Sequence, residues 1–185
     1  ELEYPVFFSG DFREVKLKGN AYFCVTKKND KPFVVRAGEF SLKVYGTEFN
    51  VNAYDLQNIE TVLVNGSIGF KANESTPERM MEPNELAVSD SRTGLSEIHQ
   101  VDIYPYIAWK NQNIVFVNER LESIMEKMAR WYDVTVFFQD ESLKDLRFDC
   151  NMRRYTDIRD LFFFLEKTSN ARFALNGRTV VISKK

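Results

Sequence analysis

The stretch Phe40–Tyr54, FSLKVYGTEFNVNAY, decides how the first half of the chain must fold. Phe40, Leu42 and Val44 are apolar on even positions. After Gly46 the apolar set moves to odd positions: Phe49, Val51 and Ala53. Strand side chains alternate between two faces, so a one-residue parity change turns every later side chain over. The strand must therefore bulge or bend at Tyr45-Gly46-Thr47, where glycine tolerates backbone angles closed to other residues.

Working outward, residues 1–103 read as β structure. Alternating runs such as Arg13–Gly19, REVKLKG, are punctuated by Ser-Gly-Asp and Gly-Asn turns. The run from Ala21 to Gly38 reads as two strands joined by a polar loop turning at Asn29-Asp30. Asn65-Gly66 is a hairpin signal inside ETVLVNGSIGF. Residues 71–81 read as a polar loop, and residues 84–103 as further short strands. The expected class is a sandwich or barrel-like β domain of many short antiparallel strands.

Residues 104–111, YPYIAWKN, have no period and read as a connector. Beyond them the character changes. A short strand precedes a helix in which Leu121, Ile124, Met125, Met128 and Tyr132 share one face, with Asn118 as the expected N-cap. Two strands follow. Thr156 is expected to cap a second helix, and a hairpin through Asn176-Gly177 ends the chain. The order βαββαββ makes a small α+β domain. Charge supports the division. Residues 1–105 carry 11 basic and 16 acidic side chains, and residues 106–185 carry 14 and 11. The expected domains are 1–105 and 106–185.

The second helix contains three successive phenylalanines, Phe162-Phe163-Phe164. At about 100° per residue from Ile158, Phe162 falls near 40° and Leu165 near 340°, within the apolar stripe. Phe163 falls near 140°, among charged residues. It is expected to face outward, where a large aromatic suits partner contact.

Several classes of function lack their residues. The overall charge of −2 and the absence of a basic patch or recognition helix argue against nucleic-acid binding. No apolar run of about 18 residues occurs, so no segment reads as a membrane span. His99 is the single histidine and has no nucleophile beside it. Phosphate-loop, dinucleotide, nucleophile-elbow and zinc-protease motifs are all missing. The reading is therefore a protein without enzymatic activity, metal or cofactor. Cys24 and Cys150 are expected as buried free thiols, with a disulfide as the alternative in an oxidising compartment. Binding falls to backbone and aromatics. The final strand, Thr179, Val180, Val181, Ile182 and Ser183, is placed at a sheet edge open to strand addition, unless Lys184 and Lys185 block it. Tyr104, Tyr106 and Trp109 form a second candidate contact cluster, with filling the joint between the two domains as the alternative reading. Arg153-Arg154 read as a solvated loop, and Trp131 as mostly packed.

The segments SGDFREVKLKGNAYFCVTKKNDKPFVVRAG, VYGTEFNVNAY, ETVLVNGSIGF and EPNELAV resemble the FecR-type anti-sigma factor family. In the last of these, Asn84 stands where the family pattern has glycine. Residues 108–182 look like the domain that follows FecR domains in Bacteroidetes-type proteins. That domain is similar to short signalling modules of secretins and TonB-dependent receptors. The resemblance implies the periplasmic portion of a single-pass inner-membrane protein. Its partners would be the signalling domain of an outer-membrane TonB-dependent receptor and, through a cytoplasmic segment outside these 185 residues, an extracytoplasmic-function sigma factor. The alternative reading is a small-molecule or glycan sensor with a pocket containing Trp109 or Trp131.

Overall fold

The computed structural model describes all residues except 29, 30, 91, 95, 155 and 156. The expected turn at Asn29-Asp30 and the expected cap Thr156 lie outside the described residues. The chain divides into two units, Glu1–Ile107 and Ala108–Lys185.

The first unit contains β1 (Leu2–Glu3), β2 (Arg13–Leu17), β3 (Gly19–Val25), β4 (Phe33–Ala37), β5 (Phe40–Val44), β6 (Thr47–Ala53), β7 (Asn58–Asn65), β8 (Ile68–Lys71), β9 (Arg79–Met81), β10 (Glu85–Asp90), β11 (Ser96–Gln100) and the single helical turn α1 (Tyr104–Ile107). One sheet has the order β1-β2-β4-β5-β8-β9 and the other β11-β10-β7-β6-β3. All pairings are antiparallel except β2 with β4. The two sheets enclose one apolar cluster, including Val35, Phe40, Leu42, Phe49, Val51, Ile59, Leu63, Ile68 and Phe70. This is the many-stranded antiparallel β fold expected, in the form of a two-sheet sandwich.

The parity change at Gly46 has a more consequential cause than a bulge. β5 lies in one sheet and β6 in the other, so the chain turns a corner there. Even positions face the core before the corner and odd positions after it, which lets both halves bury their apolar sets. Asn65-Gly66 is likewise not a hairpin, because β7 and β8 belong to different sheets. The two corners are stacked. Thr47 Oγ1 donates to the Ser67 carbonyl at 2.9 Å. Gly46 and Gly66 have φ of 90° and 94°, and a Cβ on Gly66 would stand 2.5 Å from the Gly46 carbonyl oxygen. Each glycine thus provides a left-handed backbone where no side chain fits.

Two further local readings change. Residues 71–81 include a strand, since β9 pairs with β8 through Ile68–Met81 and Phe70–Arg79. Residues 104–111 form α1 and a 3₁₀ turn, Ala108–Asn111. Asn84 adopts φ 67°, the left-handed conformation that asparagine tolerates best after glycine.

The second unit contains β12 (Asn113–Arg120), α2 (Leu121–Tyr132), β13 (Thr135–Phe138), β14 (Arg147–Arg153), α3 (Ile158–Lys167), β15 (Ala171–Asn176) and β16 (Thr179–Lys184). A 3₁₀ turn, Glu141–Asp145, links β13 to β14. β12 pairs with β14, and a separate sheet has the order β13-β16-β15. Leu121, Ile124, Met125 and Met128 of α2 and Ile158, Leu161, Phe162 and Leu165 of α3 are buried in one cluster with Phe148, Phe173, Val180 and Ile182. Asn118 is not the N-cap of α2. It sits in a β-bulge between Phe116 and Glu119 at φ 48°, held by its N–H donating to Asp149 Oδ1 at 3.0 Å. Arg120 takes the cap position without a capping side chain. Asp157 caps α3, accepting from the Arg159 N–H at 2.9 Å.

Candidate partner-binding surface

The phenylalanine triplet divides as the helical angles require. Phe162 is buried and stacks on Phe173 with ring centroids 5.0 Å apart. Phe164 is half-buried at the edge of the core, and Phe163 is 65% exposed. Lys167 lies 5.4 Å from the centroid of the Phe163 ring, one turn along the helix. Phe163 borders a groove of about 520 Å³ between α3 and β15, lined with Arg159, Phe162, Glu166, Phe173 and Leu175.

The expectation for Thr179–Ile182 is corrected by the topology. β16 is the central strand, pairing parallel with β13 and antiparallel with β15. Its backbone is bonded on both sides and has no free edge for an incoming strand. Val180 and Ile182 point into the core, and Val181 is half-buried on the opposite face with the exposed Thr179. There Val181 stands in register with Phe137 of β13 and Ala174 of β15. Phe137 is 58% exposed, so this row is a second apolar feature. The alternation in TVFF at 135–138 could have identified Phe137. Which of the strand's two faces meets the core depends on the pairing with β16. The terminal lysines are engaged rather than guarding an edge. Lys184 pairs with Asp140 at 2.5 Å. Lys185 donates through Nζ to the Glu166 carbonyl and, at 2.7 Å, to the Ser169 carbonyl, satisfying groups at the end of α3.

The third candidate is distributed along the chain division. Tyr104 is 38% exposed and Tyr106 half-buried at the end of the first unit, while Trp109 is half-buried at the start of the second. Trp131 is partly buried, with Arg154 stacked 5.3 Å above it and 5.6 Å from Tyr132. Arg154 Nη2 also donates to the Trp131 carbonyl at 3.2 Å. Arg154 is an exposed loop residue, as expected, whose guanidinium also lies against aromatic rings, while the exposed Arg153 is the last residue of β14. The groove beside α3 is aromatic through phenylalanines, without either tryptophan.

The electrostatics describe structure more than chemistry. Burial, followed by a 2.7 Å hydrogen bond to Glu48, pushes the Tyr22 phenol up to about 12. The bond from Lys184, with those from Ser142, holds Asp140 down to about 2. Both cysteines are free. Cys150 is buried, which raises its thiol, whereas Cys24 is exposed on β3, contrary to expectation. His99 is exposed beside Glu97 at 3.1 Å. Among the described residues no group of three or more histidine, cysteine or acidic side chains could hold a metal. No helix among them is long and apolar enough to cross a membrane.

The chain is thus a β sandwich followed by a small α+β unit that carries an aromatic groove. Its residues 3–69 match the family described as FecR protein, and residues 113–182 match FecR, C-terminal. Together these cover most of the chain, which belongs to the FecR family of anti-sigma factors. Two crystal structures of a candidate anti-sigma factor from Parabacteroides distasonis share the fold. One superposes with a TM-score of 0.85 at 21% identity, covering 100% of this chain and 86% of that one. The other gives 0.84 at 22%, covering 100% and 85%. No curated protein matches the chain.

Proposed function

We propose that this chain is the periplasmic signal-receiving region of a membrane-anchored anti-sigma factor. It relays the state of an outer-membrane TonB-dependent transducer to an extracytoplasmic-function sigma factor by protein–protein contact. The family membership implies a sigma factor as partner. The receptor is the finer part of the proposal. The observation that carries it is Phe163, a large aromatic held outward on a well-packed helix beside a groove. Such a side chain, 65% exposed, gains more by burial in an interface than it contributes to the isolated fold. In this reading the C-terminal unit docks the receptor's signalling domain, and the β sandwich connects it toward the membrane.

The test is calorimetric titration of the chain against the isolated signalling domains of TonB-dependent receptors from the same organism. One domain is expected to bind at micromolar Kd or tighter, about −8 kcal/mol. Phe163→Ser is expected to weaken it about tenfold without altering the melting temperature. Binding to none of them by the folded chain refutes the receptor as partner.

A further inference from the structure

We propose that the outer edge of β15, together with the groove beneath Phe163, is a docking site for an extended strand of a partner protein. The strand would run antiparallel to β15 and present, at alternate positions from its N-terminal end, an acidic, an apolar and a basic side chain. This rests on the proposed relay only for the identity of the protein that carries the strand. The site itself follows from backbone geometry.

β15 is an edge strand, with β16 on one side only. The two-residue turn Gly177-Arg178 closes on the pair Asn176–Thr179. Asn176, Ala174 and Arg172 therefore direct their backbone groups toward β16, and Ala171, Phe173 and Leu175 direct theirs outward. Two side-chain bonds confirm the parity. The Ala171 N–H donates to Ser169 Oγ at 3.2 Å, and the Phe173 N–H to Glu166 Oε1 at 2.7 Å. The next outward donor, Leu175 N–H, has no hydrogen-bond partner among the described residues. The edge is thus partly closed by its own helix and open at Leu175. Glu166 occupies the place that a partner strand's carbonyl would take at Phe173.

The groove determines what such a strand must carry. Its walls are Phe162, Phe163, Phe173 and Leu175, which suit an apolar side chain. The charged lining groups are Arg159, whose Nε already pairs with Asp157 Oδ1 at 3.1 Å and whose two Nη groups remain to meet a further acid, and Glu166, on either side of Phe163 along α3. They are two helical turns apart, roughly 10 Å. Alternate positions i to i+4 of a strand span about 13 Å, within reach of long side chains. Phe162 stacks on Phe173, so Glu166 lies toward the Ala171 end of β15 and Arg159 toward Gly177. Antiparallel pairing, the more stable arrangement, then puts the partner's acid first, opposite Arg159. Its base follows, opposite the Glu166 carboxylate that the incoming carbonyl releases. No other sign order neutralises both ends.

The test uses the whole chain, labelled with ¹⁵N, and an acetylated and amidated seven-residue peptide. Threonines alternate in it with aspartate, valine and lysine, in that order. At saturation, hydrogen exchange at the Leu175 amide is expected to slow by about tenfold or more. A peptide N-methylated on its β15-facing amides should not bind. The peptide with aspartate and lysine exchanged, and the Phe163→Ser protein, should each bind about fivefold or more weakly. Binding that leaves Leu175 exchange unchanged, equal binding of the N-methylated peptide, or no binding at millimolar peptide each overturns the proposal. The outcome is separable from that of the relay. Receptor domains that bind without protecting Leu175, together with a peptide that fails to bind, would sink the strand site and leave the relay standing. Peptide binding without any receptor binding would do the reverse.

Discussion

Replacing Gly66 by alanine tests the stacked corners that give the first unit its two sheets. The molecule contains its own control. Gly10 has φ 97°, within a few degrees of the 94° at Gly66, but a Cβ there would meet nothing within 4 Å. Both substitutions place an L side chain in a left-handed backbone, at about 1–2 kcal/mol. Only Gly66→Ala also drives its methyl against the Gly46 carbonyl oxygen at 2.5 Å and Thr47 Cα at 3.0 Å. Both are backbone atoms, and Thr47 is held to the Ser67 carbonyl, so the neighbour cannot rotate away. Overpacking of this kind costs about 1–3 kcal/mol more. The expected destabilisation is about 1–2 kcal/mol for Gly10→Ala and about 2–5 kcal/mol for Gly66→Ala. Urea unfolding followed by far-UV circular dichroism measures both. Tryptophan fluorescence, confined to Trp109 and Trp131 of the second unit, reports separately on that unit. Equal effects of the two substitutions would refute the corner-on-corner contact.

Leu165→Ala, at a fully buried position on α3, should cost about 2–5 kcal/mol in the same assay, mostly through the cavity it leaves. Arg154→Ala removes the cation from Trp131 and Tyr132. A loss of about 0.5–1 kcal/mol and a changed Trp131 emission spectrum are expected. Alkaline titration followed by tyrosinate absorbance should show one tyrosine ionising near pH 12. Tyr22 has a folded value above its ordinary one, so its contribution to stability is complete below about pH 10 and lost as pH rises toward 12. Asp140 has the opposite sign. Its contribution is present above the ordinary carboxylate value and lost as pH falls through about 2, and Lys184→Met should return its carboxyl toward the ordinary range in a ¹³C NMR titration.

Much of the candidate surface is legible in the amino-acid sequence. The orientation of Phe163 follows from the 100° step of a helix, a local rule that needs no partner. The same rule picks out the buried faces of α2 and α3. The positions that local rules misplace share a cause. Asn118 has the residue type of a cap, but a bulge pinned by Asp149, 31 residues away, takes it instead. Asn65-Gly66 has the chemistry of a hairpin turn, and the same left-handed glycine serves equally well to carry a strand from one sheet to another. Arg154 is read correctly as an exposed loop residue, and only its ring partners, on a helix more than 20 residues earlier, lie beyond local rules.

Local pattern therefore accounts for what is periodic in this chain: the parity change at Gly46, the apolar stripes of two helices, and the outward Phe163 beside one of them. These follow from side-chain geometry within a few residues. Adjacency comes from the three-dimensional packing alone. The last strand of the chain is the centre of its sheet because β13 pairs with it in parallel, and the edge passes to β15. Strand order is set by which distant segments bury their faces together, and no local pattern encodes it. The open amide of Leu175 and the carboxylate of Glu166 beside it are consequences of that order.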